Sequence, residues 1–255
     1  MRRLNENERK KLDNFLNKNY LENINIIGYL KNVPDAEIWV NDGDEILGVV
    51  VKYKDEGNKF IFNTYDKNIV KEAVDDIFSH YSEVFLAAIR DELASQLFPY
   101  GYPNENGIGN YCIMYYYPKK TIDISDIPNN VKNIQIDDAK TVDFFYTYRH
   151  SGSFEILKKD IASRPSAAYY IDDEIISWSL LHPDNSMGVM FTKPQYRKHN
   201  YGYIVSKYLM NEVLKTNEIP FVHIVENNNA SVCLAEKLSL VYGYRLIWFD
   251  YYFKK

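Results

Sequence analysis

The sequence predicts an α/β (α+β) protein that is divided into two domains. Helical patterns of apolar residues alternate with short strand patterns along the 255 residues. A polar stretch without periodicity, punctuated by prolines, covers residues 118–130. Two similar acidic hairpins, one on each side of that stretch, indicate that the halves share a layout. We therefore expect one domain at 1–120 and a second at 121–255.

The first domain is predicted to mix helices and strands. Helices are expected at 5–17, 21–31, 68–80 and from about 91, and strands at 37–40, 46–52, 59–63, 84–88 and 110–117. Polar turns that contain Gly43 and Gly57 separate the early strands.

The second domain is predicted to follow a similar order. Strands are expected at 131–136, 167–171, 175–181, 187–192, 221–225 and 244–252, and helices at 139–148, 154–162, 201–215 and about 228–238. The near-continuous apolar run at 221–225 is typical of a strand buried on both faces. Asn228 and Asn229 are good N-cap residues for the helix that follows.

The net charge limits the possible partners. The formal charge is −5 and the pI is near 5.6, while 46% hydrophobic and 25% charged residues are ordinary values for a soluble protein. A broad nucleic-acid or anionic-membrane surface needs a basic field, so we expect neither partner.

Cysteine usage and hydropathy indicate the compartment. Cys112 and Cys233 are the only cysteines, too few for a disulfide framework or a cysteine-rich zinc site. No apolar run approaches the length of a membrane helix, and the N-terminal residues contain no apolar signal segment. We therefore expect a cytoplasmic protein without a metal site.

The two halves are related by a constant offset. Asp44 and Asp173 each open the second strand of a hairpin, 129 residues apart, and the same offset carries the acidic turn at Asp55 onto Asp184. We interpret this as a duplication, with chance similarity of two acidic β-turns as the alternative. The offset brings Arg197 onto Asn68, where no basic, glycine-bearing loop stands. Only the second half is therefore expected to carry the site described next.

A basic loop at 194–203 lies between a predicted strand and a predicted helix. The free N–H groups of a first helical turn and the positive end of the helix dipole favour an anion. Arg197 and Lys198 add positive charge at the same place. The loop is neither a GxxxxGK[ST] nucleotide loop nor a three-glycine dinucleotide fingerprint. We expect a diphosphate-bearing ligand, the alternative being a merely solvated charged loop.

Two sequence landmarks resemble one family. The pattern Val189-x-x-Thr192-x-Pro194-x-Tyr196-Arg197-x-x-Asn200-x-Gly202 is similar to the acyl-CoA loop, Q/R-x-x-G-x-G/A, of the GNAT N-acetyltransferase superfamily. The stretches 226–231 and 235–238 resemble the family's second landmark, an N-x-x-S helix start that leads to EKLGF. The duplicated layout, with the motif in the second copy only, is similar to the glycine N-acyltransferase branch.

The resemblance implies a fold and a cofactor. It implies two GNAT-like domains, each a mixed, mostly antiparallel sheet flanked by helices, with the strands 187–192 and 221–225 parallel but splayed in the C-terminal domain. Domain 1–120 is then a degenerate copy without the acyl-CoA loop, and 121–255 binds acetyl-CoA as cosubstrate. The residues implied for the cofactor are Met190, Phe191, Thr192, Arg197, Lys198, His199, Asn200, Tyr201, Gly202, Tyr203, Asn228 and Ser231.

The sequence departs from the family pattern at three places. Asn200 replaces the first glycine, and asparagine is the next-best residue for a left-handed backbone. Ser239-Leu240 replaces Gly-Phe, which affects packing. Ala235 stands where many members carry a tyrosine that protonates the departing thiolate, so another group or water must do so.

Acyl transfer to an amine requires a base and a donor for the developing oxyanion. A main-chain N–H near Met190 or Phe191 could serve the oxyanion. Glu226, at the end of a strand that lines the gap, is the first candidate for the base, and an exposed helix-entry carboxylate is the alternative. His182 and Asp184 are the next candidates.

Several residues with reactive side chains are also explained by a structural role or by the lack of a catalytic one. A lone histidine such as His182 or His223 is commonly a satisfied structural residue. The family pattern puts a glutamate near Ser186, and a serine cannot act as that base. Cys233 is interpreted as a buried, inert thiol because no group that would stabilise a thiolate is evident.

Three functions remain open at this point. The first is an acyl-CoA-dependent N-acetyltransferase, or a transferase of another short acyl group, that acts on a small-molecule amine. The second is a non-catalytic acyl-CoA-binding sensor, which the missing tyrosine favours. A tRNA-dependent transferase is the third, and the acidic charge and the intact loop speak against it. Monomer and homodimer are both compatible with the sequence.

Overall fold

The computed structural model describes residues 1–103 and 110–253. The chain forms two compact units: unit 1 comprises Met1–Ile113 together with the C-terminal segment from Gly243, and unit 2 comprises Met114–Tyr242. The boundary expected between residues 120 and 121 thus differs by a few residues from the observed one. The larger difference concerns the last strand, which was expected in the second domain and lies in unit 1.

Unit 1 is a mostly antiparallel sheet with helices on both faces. Its elements are β1 (Arg2–Arg3), α1 (Arg9–Lys18), α2 (Ile24–Asn32), β2 (Glu37–Val40), β3 (Gly48–Lys52), β4 (Lys59–Thr64), α3 (Lys67–Asp76), β5 (Val84–Arg90), α4 (Asp91–Leu97), β6 (Gly101–Pro103) and β7 (Tyr111–Tyr116), within which the division into units falls. The strands β1 to β5 are neighbours in chain order, and only the β4–β5 pair is parallel.

Alternation along β3 divides the interior of unit 1 into two cores. Val49 and Val51 pack with residues of α1 and α2, while Val50 between them packs with residues of α3 and α4. Successive side chains of a strand point to opposite faces, so one fully buried strand serves both helical layers.

Unit 2 is built around a four-stranded antiparallel sheet. Its elements are β8 (Val131–Lys132), α5 (Ala139–Phe144), α6 (Ser153–Ser163), β9 (Ser166–Ile171), β10 (Glu174–Leu181), β11 (Met187–Thr192), α7 (Tyr201–Lys215), β12 (Phe221–Val225) and α8 (Asn229–Lys237). The strand order is β11-β10-β9-β8. β12 is a neighbour of β11, but no backbone ladder joins the two among the described residues.

The final strand, β13 (Val241–Phe253), returns to unit 1. It pairs antiparallel with β5, where Ile247 lies opposite Ile89, and with β6. Ile247 is 0% exposed in the core that contains α3 and α4, and the Tyr251 hydroxyl donates to the carbonyl of Leu97. The strand lies in unit 1 because its apolar side chains complete that core, which a chain-order division of the sequence does not reveal.

Local boundaries agree closely with expectation near the basic loop and less well before it. The strands at 187–192 and 221–225 and the helix at 201–215 coincide with the predicted ranges. The strand expected at 131–136 stops at Lys132, because the Ile134 N–H donates to the Ser166 hydroxyl and the Gln135 N–H to the Tyr170 hydroxyl. Side-chain hydroxyls thus accept the hydrogen bonds that the next rung of the strand ladder would otherwise provide.

The helix expected at 139–148 ends at Phe144. Ser153 donates from its hydroxyl to the carboxylate of Asp143, and the Arg149 Nε donates to the same carboxylate at 2.9 Å. These bonds fold the chain into a turn after Phe144. Within the described ranges, no helix is long and apolar enough to cross a membrane.

The position of β13 predicts that its buried side chains contribute strongly to the stability of unit 1. Ile247→Ala should destabilise the protein by about 2–5 kcal/mol, since it leaves a cavity in a packed core. Tyr242→Ala, at a residue that is 59% exposed in the same strand, should change stability by less than about 0.5 kcal/mol. Urea denaturation measures both, and hydrogen exchange at Leu86 and Ile89 should accelerate in Ile247→Ala. Equal stability of the two variants would contradict this role of β13.

Candidate functional site

In unit 2 the strands β11 and β12 are neighbours without a ladder among the described residues, and we call the gap between them the groove. Every residue of β10 after Glu174 is buried, whereas the residues of β11 after Met187 all retain accessible surface. Met190 is 39% exposed. Because no ladder to β12 covers the far edge of β11, its backbone groups there are available to a ligand.

A bulge in β11 accompanies this opening. Trp178 of β10 lies opposite Phe191, and Leu180 lies opposite Gly188, so Val189 and Met190 together oppose a single residue. Val189 has φ of 49°, a left-handed conformation that is costly for a β-branched residue. Backbone strain of this kind amounts to about 1–3 kcal/mol and concentrates at functional sites.

The basic loop takes the conformation that its sequence predicts. Asn200 has φ of 70° and is the N-cap of α7, so asparagine supplies the left-handed backbone in place of glycine. Lys198 has φ of 67°. The Arg197 Nε donates to the carbonyl of Thr192 at 3.1 Å, and the His199 ring contacts the carbonyl of Arg197 at 2.8 Å. These bonds tie the loop to the end of β11.

The N-terminus of α7 is prepared for an anion. The N–H groups of a first helical turn have no acceptor within the helix, and the Asn200 side chain does not cap them. That side chain instead accepts a hydrogen bond from Lys237 Nζ of α8 at 2.7 Å. Lys237 therefore joins the exposed Arg197 and Lys198 at the positive end of the helix dipole.

Gly202 leaves space over that turn. Its φ is not in the left-handed range, and a Cβ would meet Thr192 Oγ1 at 3.6 Å and Met190 Cε at 4.0 Å, which are ordinary contacts. The protein itself thus does not require glycine here. The missing Cβ leaves room for a group that approaches the main chain closely, as phosphates do at helix N-termini.

The second landmark forms the predicted helix start. The Asn228 side chain accepts from the Ser231 N–H at 3.1 Å and caps α8. Ala235 is 2% exposed and belongs to the apolar core of unit 2. Cys233 is exposed, so its interpretation as a buried thiol was wrong; the helix turns it outward while Ala235 faces inward.

A polar cluster lies beside the first half of β11. Asp184 is buried in the β10–β11 turn, and its Oδ1 accepts from the Ser186 N–H at 3.0 Å and from the Ser186 hydroxyl at 2.6 Å. The His182 ring covers Gly188, where an added Cβ would lie 2.2 Å from Nε2. Burial is the main reason that the pKa of His223 on β12 is lowered to about 4. The charge of Asp184 opposes this shift, and His182 contributes to it.

The structure thus brings two of the predicted base candidates together and sets the third apart. His182 and Asp184 act electrostatically on His223 from across the groove. Glu226 follows the end of β12, three residues beyond His223, or about 10 Å along an extended chain. No group of three or more His, Cys, Asp or Glu in the described ranges could hold a metal ion.

Sequence reasoning missed His223 and Lys237. His223 lies in an apolar strand, so the sequence favours a structural histidine. The groups that act on it belong to a turn far away in the sequence. Lys237 reads as an ordinary helix-end cation. Its hydrogen bond to the Asn200 side chain, which places its charge at the N-terminus of α7, is visible only in the folded structure.

The described residues of unit 1 differ from those of unit 2 at the places that the offset relates. β4 and β5 are joined by parallel pairing, with Phe60 opposite Leu86. Arg90 bridges the strand ends by donating to Asn63 Oδ1 and to the Thr64 carbonyl, each at 3.1 Å. At the start of α3 the Asp66 side chain accepts from the Asn68 N–H at 2.8 Å. In unit 1 the strands thus pair at Lys59 and Phe60, and a carboxylate of the chain caps α3.

Comparison with known proteins agrees with this architecture. Residues 172–253 match the model of the FR47-like protein family. Over 98% of this chain and 97% of the other, the fold is similar to that of a Drosophila protein, with a TM-score of 0.79 and 13% identity. No curated protein matches the sequence.

Two further structures carry the name of the family. A GNAT-family acetyltransferase from Colwellia psychrerythraea has a TM-score of 0.59 at 10% identity, over 99% of each chain. A tandem GNAT protein from the clavulanic acid biosynthesis pathway has a TM-score of 0.53 at 10% identity, over 89% of this chain and 87% of that one. The chain is thus a GNAT-fold protein with a tandem layout, and both the expected resemblance and the expected fold class are confirmed.

The free space at Gly202 can be tested without a ligand. Gly202→Ala should leave stability unchanged or raise it by up to about 1 kcal/mol, because alanine favours a helix and the site accepts a Cβ. Thermal and urea unfolding of the variant measure this. A loss of more than about 1 kcal/mol would mean that packing, not a ligand, requires the glycine.

The lowered pKa of His223 predicts a pH dependence of stability. Between an unfolded value of 6.5 and a folded value of about 4, the unfolded chain binds a proton that the folded chain does not. Stability should therefore fall as the pH drops through this window, by roughly 2–3 kcal/mol from this group. Urea denaturation from pH 7 to 4.5 should show a steeper loss in wild type than in His223→Gln. Parallel curves would refute the shift.

Proposed function

We propose that the protein is an N-acyltransferase that moves an acetyl or other short acyl group from acyl-CoA to the amine of a small molecule by direct transfer. The observation that carries the proposal is the N-terminus of α7, where Asn200 and Gly202 leave an open, basic anion site beside the exposed edge of β11. The GNAT fold supports acyltransferase activity in general terms, and the match to the FR47-like family supports it in the same half of the chain.

Acetyl-CoA is the proposed cosubstrate. Its diphosphate would bind the main chain of the loop with help from Arg197, and its pantetheine arm would lie along the open edge of β11. Asn228 and Ser231 would face the pantetheine or the nucleotide end. The residues assigned to this role are Met190, Phe191, Thr192, Arg197, Lys198, His199, Asn200, Tyr201, Gly202, Tyr203, Asn228 and Ser231, to which the geometry adds Lys237.

The acyl chemistry is assigned to the groove between β11 and β12. A neutral amine must attack the thioester carbon, so the site needs a base and a donor for the oxyanion. The main-chain N–H groups of Met190 or Phe191, next to the bulge, are the proposed donors. Among the base candidates, His182 and Asp184 both act electrostatically on the buried His223, which favours that pair over Glu226.

A non-catalytic acyl-CoA sensor is the second candidate. The observation that favours it is the apolar, buried environment of Ala235, where no side chain can protonate a departing thiolate. Release of free thiol from acetyl-CoA in the presence of an amine panel separates the two, because a sensor binds the thioester without releasing CoA.

The proposed partner is a small-molecule amine, not a nucleic acid or a membrane. Both cysteines are free thiols, which supports the cytoplasm as the proposed location. Monomer and homodimer both remain compatible with the proposal.

The anion site can be tested by calorimetric titration of acetyl-CoA. A charge-assisted contact contributes about 1.5–3 kcal/mol, so Arg197→Ala should weaken binding roughly 10- to 100-fold. Arg3→Ala removes the same charge from an exposed ion pair with Glu37 in unit 1 and should leave the affinity unchanged. Unaltered binding in Arg197→Ala would contradict the proposal that this loop binds the diphosphate of acetyl-CoA.

A further inference from the structure

Unit 1 contains an open cavity that the proposed function does not use. Its volume is about 540 Å³, and pockets of about 300–1,000 Å³ commonly hold small molecules. Three segments provide most of its lining: the face of α1 that carries Phe15, the loop 44–47 between β2 and β3, and Tyr65 after β4. We call it the α1 cavity, and its lining residues all belong to unit 1.

The loop that lines the α1 cavity is fixed by buried hydrogen bonds. Asn41 is 3% exposed; its side-chain amide donates to the carbonyl of Glu45 at 2.9 Å, and its Oδ1 accepts from the N–H of Leu47 at 2.7 Å. The Thr64 hydroxyl donates to the carbonyl of Leu47 at 2.8 Å. The backbone that carries Asp44 and Glu45 is therefore held in place by the protein itself, before any ligand binds.

The ring of Tyr65 is also held in one orientation. Its hydroxyl donates to Glu22 Oε2 at 2.7 Å, and the guanidinium carbon of Arg90 lies 4.6 Å from the ring centroid. The Phe15 ring lies beside it, with 6.3 Å between the two centroids. Tyr65 is nevertheless 47% exposed. An exposed aromatic ring that is fixed in advance can stack on a flat ligand without a further loss of rotamer freedom.

Charged groups of both signs accompany these rings in the lining. Lys11 and Lys18 share a face of α1 with Phe15, about 6 Å before it and about 5 Å after it along the helix axis. Asp44 and Glu45 supply the negative charges. Lys18, Asp44 and Glu45 are exposed, and they form no salt bridge with any residue that the structure describes.

The combination of charges indicates the class of ligand. An anion that the two lysines attract is repelled by the two carboxylates, and a cation that the carboxylates attract is repelled by the lysines. A zwitterion interacts favourably with both pairs. The fixed aromatic surface adds a preference for a flat apolar group on the same molecule.

We propose that the α1 cavity binds an α-amino acid with an aromatic side chain. The ring of the ligand stacks on Tyr65 beside Phe15. Its carboxylate lies near the lysines of α1, and its ammonium group lies near the carboxylates of the loop 44–47. The site goes beyond the proposed function, because binding here requires neither acetyl-CoA nor the groove of unit 2.

The ligand class is tested by titrating the full chain with L-phenylalanine and following the ¹H–¹⁵N backbone signals of Lys18, Leu47 and Tyr65. We expect saturable shifts with a Kd of roughly 1 mM or tighter, an ordinary affinity for so small a ligand. Three partial ligands lack one feature each: phenylacetate has no ammonium group, 2-phenylethylamine has no carboxylate, and L-alanine has no ring. Each should bind roughly fivefold more weakly, or weaker still.

The lining residues are tested by substitution. Tyr65→Leu keeps an apolar side chain but removes the ring, and should weaken L-phenylalanine binding roughly three- to tenfold. Lys18→Ala and Asp44→Asn should each weaken it roughly two- to fivefold, since exposed charges are screened by water. The matched controls are Lys10→Ala and Asp13→Asn, which remove the same charges from exposed positions of α1 outside the cavity and should leave the Kd unchanged.

The outcomes separate this site from the transferase. Absence of saturable shifts with L-phenylalanine, or wild-type affinity in Tyr65→Leu or Lys18→Ala, would overturn the site. A partial ligand that binds as tightly as L-phenylalanine would overturn the aromatic amino acid as its ligand. Failure of acetyl-CoA to bind would count against the proposed function and leave these shifts intact.

Discussion

The site depends on the lack of backbone hydrogen bonds between two neighbouring strands: among the described residues, β11 and β12 form no ladder. A strand inside a domain normally has both edges bonded, because unpaired peptide groups away from water are costly. The left-handed Val189 and the bulge lie in β11, where the two strands diverge without pairing. The same divergence exposes the strand edge to a ligand and gives the polar groups at 182–186 and His223 a shared space. Anion site and polar cluster are thus the two ends of one groove.

The tandem layout allows the two units to be compared at equivalent places. In unit 1 the corresponding strands pair, Arg90 spans their ends, and Asp66 caps the helix that follows. Each contact satisfies groups that unit 2 leaves open. A repulsive carboxylate occupies the helix N-terminus at which an anion would bind.

Sequence reasoning succeeded where local chemistry decides the structure. The bounds of the strand at 187–192 and of the helix at 201–215 were predicted, because a left-handed asparagine and an amphipathic period act over short distances. It failed for contacts that close over long separations. Three features depend on tertiary packing: the electrostatic effect of the turn at 182–184 on His223, the contact of Lys237 with Asn200, and the return of β13 to unit 1. The shortened strand after Val131 failed because side-chain hydroxyls replaced ladder bonds.

The return of β13 has a consequence for how the protein forms during synthesis. The segment 114–242 is a continuous stretch and leaves the ribosome whole, whereas unit 1 stays one strand short until the last residues emerge. Until then one edge of β5 is unpaired, and the core that contains α3 and α4 lacks Ile247, Phe249, Tyr251 and Phe253. Long-range closures of this kind are slow compared with local ones. The unit that is first in the sequence is therefore the last to be completed, and nascent chains are at risk of association through that uncovered edge.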